Sequence, residues 1–128
     1  MDRKIISTAA ILGFIAIILG AFGAHALKKV LTIEQLASFE TGVKYQIYHA
    51  LFLLFAGSTN LISEKAKKTL YYLVVFGVIF FSGSIYLLAT KNVTNVDFSV
   101  IGFITPIGGL LMIMAWGLLF LNILKRKA

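Results

Sequence analysis

ILGFIAIILGAFGAHALKK, residues 11–29, holds no charge before Lys28 and Lys29 and extends an apolar run that begins at Ile5. A helix crosses a bilayer when about 20 consecutive residues are predominantly apolar. Residues 5–26 meet that length, and so do 43–62, 70–89 and 100–124. Hydrophobic residues make up 59% of the 128-residue chain and the mean hydropathy is +0.94, far above the roughly half-apolar usage of water-soluble domains. The expected fold class is therefore all-α: an integral-membrane four-helix bundle forming a single membrane domain over residues 1–128.

The net charge of +7 sits in short clusters between the apolar runs, the pattern of a membrane protein, so no nucleic-acid partner is expected. The absence of cysteine removes disulfides and thiolate chemistry. Arg3, Lys4, Lys65, Lys67, Lys68, Lys125, Arg126 and Lys127 fall on one side of the four runs, while Lys28, Lys29, Lys44 and Lys91 fall on the other. Lys and Arg accumulate on the cytoplasmic face, so both termini of this multi-pass protein are expected in the cytoplasm of the cell membrane. Ala24-His25-Ala26 resembles a signal-cleavage site, but the run before it is longer than a signal core and further spans follow, so span one is expected to be permanent.

Between the first two spans, LTIEQLASFETGV (residues 31–43) carries Thr32 and Gln35 at capping-box spacing. At about 100° per residue Ile33, Leu36, Phe39 and Val43 share one side and Glu34, Gln35, Ser38 and Thr41 the other. This predicts an extracytoplasmic amphipathic helix over about 33–42, running straight into span two, with Ile33, Leu36 and Phe39 against lipid or the bundle.

Depths follow from the helical rise of about 1.5 Å per residue. They bring four motifs to one outer layer: GAFGAH with His25, YQIYHAL with Tyr45, Gln46 and His49, FFSGSIY with Ser82, Ser84 and Tyr86, and TPIGG with Thr105. The helical wheel turns Gly42, Tyr45, Gln46 and His49 to one face of span two, with Lys44 opposite. Small residues including Gly13, Gly20 and Gly23 on span one, Gly83 on span three, and Gly108 and Gly109 on span four are read as packing positions that let helices approach closely. Pro106 is read as a kink that frees the Gly102 carbonyl for a donor such as Thr105, Ser84 or Tyr86.

Two functions suit such a layer. Hydrogen-bonding side chains between membrane helices act as packing glue, or an intramembrane ionisable residue marks a ligand or ion site. Residues 9–24, 50–57, 73–81 and 107–121 have no charged or hydrogen-bonding side chain except Trp116, a dry zone that disfavours an ion path. Two histidines without ligand spacing give no zinc signature, and no acidic residue lies inside a span to build a catalytic triad. The expectation is a non-enzymatic protein without cofactor or metal, with a structural or membrane-organising role. Its partners are membrane lipid and other membrane proteins or further copies of itself, through the glycine stripes. The alternative is a transporter or binding protein for a small solute or ion at the outer layer.

In order and spacing, LGAFGAHAL, TGVKYQIYHAL, FSGSIY, TPIGG and AWGLL resemble the signature segments of a family of small bacterial four-span membrane proteins, domain of unknown function 423. The likeness runs from about Gly13 to Leu119. It implies a helical bundle in the cell membrane and carries over no activity, cofactor or catalytic residue.

Overall fold

The computed structural model describes residues 1–91 and 99–125. The chain is helical throughout: α1 (Asp2–His25), α2 (Ile33–Ser58), α3 (Glu64–Val78), a five-residue π turn (Ile79–Gly83), α4 (Ser84–Ala89) and α5 (Ile104–Lys125). Short 3₁₀ turns stand at Leu27–Lys29 and Ser99–Phe103. Among the described residues three helical stretches are long and apolar enough to cross a membrane: Asp2–Lys29, Glu64–Ala89 and Ile101–Lys125. At 26 residues α2 is as long as these, but Glu34, Glu40, Lys44, Gln46 and His49 lower its hydropathy. Asn92, part of a glycosylation sequon in the sequence, lies outside the described residues.

The predicted capping box forms. The Thr32 hydroxyl accepts from the Gln35 backbone N–H at 3.0 Å and the Gln35 side chain accepts from the Thr32 N–H at 3.0 Å. From that cap α2 continues without a break to Ser58 and stops there, although the apolar residues Leu61 and Ile62 extend the sequence run to 62. Ile62 is buried all the same, folded beneath the turn before α3. The apolar side of the first α2 turns faces the protein: Phe39 and Val43 are buried, whereas Ile33 at the helix start is 89% exposed. Ser63 caps α3 by accepting from the Ala66 N–H.

α1 and α2 run antiparallel along their lengths, with Gly23 against Phe39, Gly20 against Val43, Gly13 facing Ala50 and Gly57 against Ile5 and Ile6. α2 packs in turn on α3, the π turn and α4, and α3 packs on α5. Two apolar cores result. The larger joins Ile5 and Ala9, Phe52, Leu53 and Ala56, Leu70 and Val74, and Met112 and Ala115. The smaller gathers Ala16, Leu27, Leu31, Phe39, Val43 and Ala89.

Glycine sets the closest approach. A Cβ on Gly108 would collide with the backbone of Phe81 and Phe80 and with the Gly77 carbonyl, and one on Gly77 would lie 2.7 Å from Met112 Cγ. The first half of α5 thus lies directly on the backbone of the π turn. Gly109 is looser, with an added Cβ 3.7 Å from the Phe81 ring, and nothing lies within 4 Å of a Cβ added at Gly83, Gly102 or Gly117. A side chain at Gly83 would therefore meet no neighbouring helix. Pro106 stands in the first turn of α5, where a proline's missing N–H breaks no α-helical bond.

Gly108→Ala is expected to lower thermal stability in detergent by about 1 to 3 kcal/mol, because backbone cannot yield to the new methyl as a side chain can. Gly117→Ala, with open space around it, is expected to be neutral or stabilising by up to about 1 kcal/mol through helix propensity. Thermal unfolding of the two variants side by side checks the pair.

Candidate functional site

Between the two apolar cores lies a layer of polar side chains, each tying helices that the chain connects only distantly. Gln46 is its centre. Its side-chain N–H donates to the Leu12 carbonyl on α1 at 2.8 Å, and its carbonyl accepts from the Tyr86 hydroxyl on α4 at 2.6 Å. Gln46 is buried at 3% exposure, so both ends of the amide are satisfied within the protein. A neighbouring bond runs from the Ser82 hydroxyl to the Gly42 carbonyl at 2.7 Å. Gly42 suits that contact because a Cβ there would lie 2.7 Å from the Tyr86 ring.

His49 serves a different interface. An indole N–H can only donate, so the 3.1 Å contact from Trp116 Nε1 fixes His49 Nε2 as an acceptor. The ring proton then sits on Nδ1, which donates to the Tyr45 carbonyl one turn back at 2.7 Å. The neutral tautomer with its proton on Nδ1 is thus specified from both sides, and the bond to Trp116 links α2 to α5. Ser84 and Thr105 pair through their hydroxyls between α4 and α5, and Ser84 also donates to the Phe81 carbonyl.

The eight layer residues are therefore placed at several interfaces. Gln46 and Tyr86 meet directly, Ser84 meets Thr105, Ser82 bonds the backbone beside them, and His49 faces Trp116. Tyr45 joins through its carbonyl only, while its ring leans on Phe81 with centroids 5.0 Å apart. His25 lies exposed at the C-terminus of α1, apart from the others. Among the described residues no three of His, Asp, Glu or Cys gather in metal-binding proximity.

A second polar set stands at the other end, with no counterpart in the sequence reading. Lys67 is almost wholly buried in the first turn of α3 and donates to the half-exposed carboxylate of Asp2 at 3.0 Å. Thr8 and Tyr71 share a 2.9 Å hydroxyl bond, and the Asn122 side chain accepts from the Ser63 N–H at 3.2 Å. Lys4 lies 5.2 Å from the Tyr71 ring centroid. These contacts fasten α1 to α3 and the end of α5 to the α2–α3 turn. Periodicity within one segment gives no sign of such pairs, since the partners are 59 to 65 residues apart.

This arrangement defines an all-α membrane protein whose internal polar groups bond across its helices. The profile of the family described as protein of unknown function (DUF423) matches residues 19–109. The chain is 38% identical over 123 residues to the UPF0382 membrane protein SSP2132 of Staphylococcus saprophyticus, covering 96% of this chain and 98% of that one. It is 34% identical over 129 residues to the UPF0382 inner membrane protein YgdD of Escherichia coli, covering 98% and 93%. It is 39% identical over 106 residues to the UPF0382 membrane protein SH2409 of Staphylococcus haemolyticus, covering 83% of each. The chain belongs to this family, DUF423/UPF0382. No solved structure matches it.

The Trp116 bond is made at Nε2, the far ring nitrogen, so side-chain reach decides which substitution of His49 is tolerated. His49→Gln places an acceptor near that position, whereas His49→Asn reaches only as far as Nδ1. We expect His49→Leu and His49→Asn to lose about 1 to 2 kcal/mol each, with His49→Gln losing less than half as much. Thermal stability of the three variants in one detergent checks the order.

Proposed function

We propose that the chain is a non-enzymatic, four-span protein of the cell membrane with a membrane-organising role. α2 serves as the second span, and both termini face the cytoplasm. What supports α2 as a span is its antiparallel packing along α1 together with the internal satisfaction of Gln46 and His49. Polar groups that carry their own partners remove most of the cost of entering lipid. The charge count favours the orientation, with the Asp2–Lys67 end inside and the capped start of α2 outside.

The observation that carries the non-enzymatic reading is the engagement of the layer. Among the described residues no buried side-chain nitrogen or oxygen lacks a partner. A nucleophile or general acid needs a group that can release its partner to a substrate, whereas Ser82, Ser84, Thr105, Gln46 and Tyr86 are each committed between helices. Buried bonds of this type make the bundle a stiff unit that presents its outer faces to lipid and to other membrane proteins.

The cysteine-free sequence makes the topology directly testable. Lys29 and Lys65 are both exposed. A cysteine replacing Lys29 is expected to react with an impermeant maleimide in intact cells, and one replacing Lys65 only after permeabilisation. The reverse pattern overturns the orientation. For the role, layer variants expressed in a deletion strain are expected to restore the barrier to an impermeant dye in proportion to the amount of folded protein. A layer variant of full stability and abundance that restores nothing would show that the layer is a site.

A further inference from the structure

Two lateral grooves flank α2, and they differ in chemistry. The groove toward α1, ≈ 520 Å³, has walls of aliphatic residues and Phe14 with no polar side chain, a surface suited to acyl chains. The groove toward α5, ≈ 600 Å³, is walled mainly by rings, Tyr45, Tyr48, His49, Phe52, Phe55 and Trp116, together with two leucines. Its volume is that of a small-ligand site, for which about 300 to 1,000 Å³ is usual. It is open to the side, where a membrane-spanning chain meets lipid.

Tyr48, Phe55 and Trp116 are the half-exposed rings of this groove, while Phe52 and His49 are buried behind them and stack on each other with centroids 6.2 Å apart. Phe52 meets Trp116 edge to face with centroids 4.6 Å apart, and His49 meets Trp116 at 78°. The bond from Trp116 Nε1 to His49 fixes the indole in the wall, although Trp116 itself is 49% exposed. Tyr48 is half exposed, and its hydroxyl has no partner among the described residues. With α2 as a span, an occupant bearing an acceptor oxygen gains a hydrogen bond from that hydroxyl that a plain hydrocarbon does not. Offset or edge contacts with aromatic walls likewise favour a flat ring over a branched chain.

We propose that the α2–α5 groove binds a flat, lipid-soluble ring compound bearing carbonyl oxygens and an apolar tail, the chemistry of a membrane quinone. The ring lies against the half-exposed indole of Trp116, one carbonyl accepts from the Tyr48 hydroxyl, and the tail leaves toward lipid past Phe55. The proposal concerns binding alone; it rests on the reading of α2 as a span and goes beyond the membrane-organising role.

Trp116 is the single tryptophan of the chain, so its fluorescence reports directly on the groove. The full chain in detergent is titrated with a decyl-substituted benzoquinone. The expected result is saturable quenching, with an apparent affinity about two- to tenfold weaker in Tyr48→Phe, the equivalent of one neutral hydrogen bond. Tyr48→Phe keeps the ring at a half-exposed position, and circular dichroism verifies its fold. Leu54→Ala, in the opposite groove, is expected to leave the affinity unchanged. Unsaturable quenching that matches a tryptophan octyl ester in the same micelles overturns the proposal. So does equal displacement by decanol, which would make the groove an acyl-chain seat, and so does an unchanged affinity in Tyr48→Phe.

Discussion

Three helices depend on one amide. Gln46 takes a donor from α4 and gives one to α1, and with α2 as the second span, as proposed above, the bilayer makes that exchange consequential because lipid offers an unpaired amide nothing in return. In water the same bonds would be exchanged for bonds to solvent at little net gain. Hydrophobicity cannot replace them, since lipid tails are as apolar as the leucines facing them and do not drive one membrane helix against another. The association of α1, α2 and α4 therefore rests on close packing and on a few polar contacts, and Gln46 stands where the two apolar cores meet.

The remaining contacts follow the same rule at other interfaces. Glycine lets backbone meet backbone where α5 crosses the π turn at Gly108, and the hydroxyl pair of Ser84 and Thr105 closes that contact on the α4 side. A π turn carries one residue more per turn than an α-helix, which shifts the facing of the residues after it. Here Ser82, inside the turn, and Ser84, just after it, bond to two different neighbours, α2 and α5. At the opposite end the Asp2–Lys67 pair and the Thr8–Tyr71 bond anchor α1 to α3, beside the contact of Lys4 with the Tyr71 ring. Removing Asp2 strands the buried charge of Lys67, so the pair is better understood as a determinant of arrangement than as a large source of stability.

Much of this was legible from residues alone, because apolar runs, caps and helical wheels are properties of single segments. The capping box at Thr32 and Gln35 and the inward face of Gly42, Gln46 and His49 are such properties. Ends and partners are not. The run to Ile62 hides the stop at Ser58, since apolar residues in a buried turn look like residues of a helix. Tyr45, on the same wheel face as His49, lies at its margin and is partly exposed, because which neighbour covers a face depends on the fold. Trp116 stood out as the lone polar group of the dry zone, yet its pairing with His49 requires knowing that α2 and α5 come together. Pro106 reads as a kink only while the helix is thought to start well before it; with α5 starting at Ile104 it falls in a first turn.

The central claim is that Gln46 and Tyr86 are coupled across the α2–α4 interface. A double-mutant cycle of Gln46→Leu and Tyr86→Phe, read as unfolding free energy in bicelles, measures that coupling directly. The account predicts an interaction free energy of about 0.6 to 1.7 kcal/mol, the range of interhelical hydrogen bonds in membranes. Strictly additive single-mutant effects would contradict it.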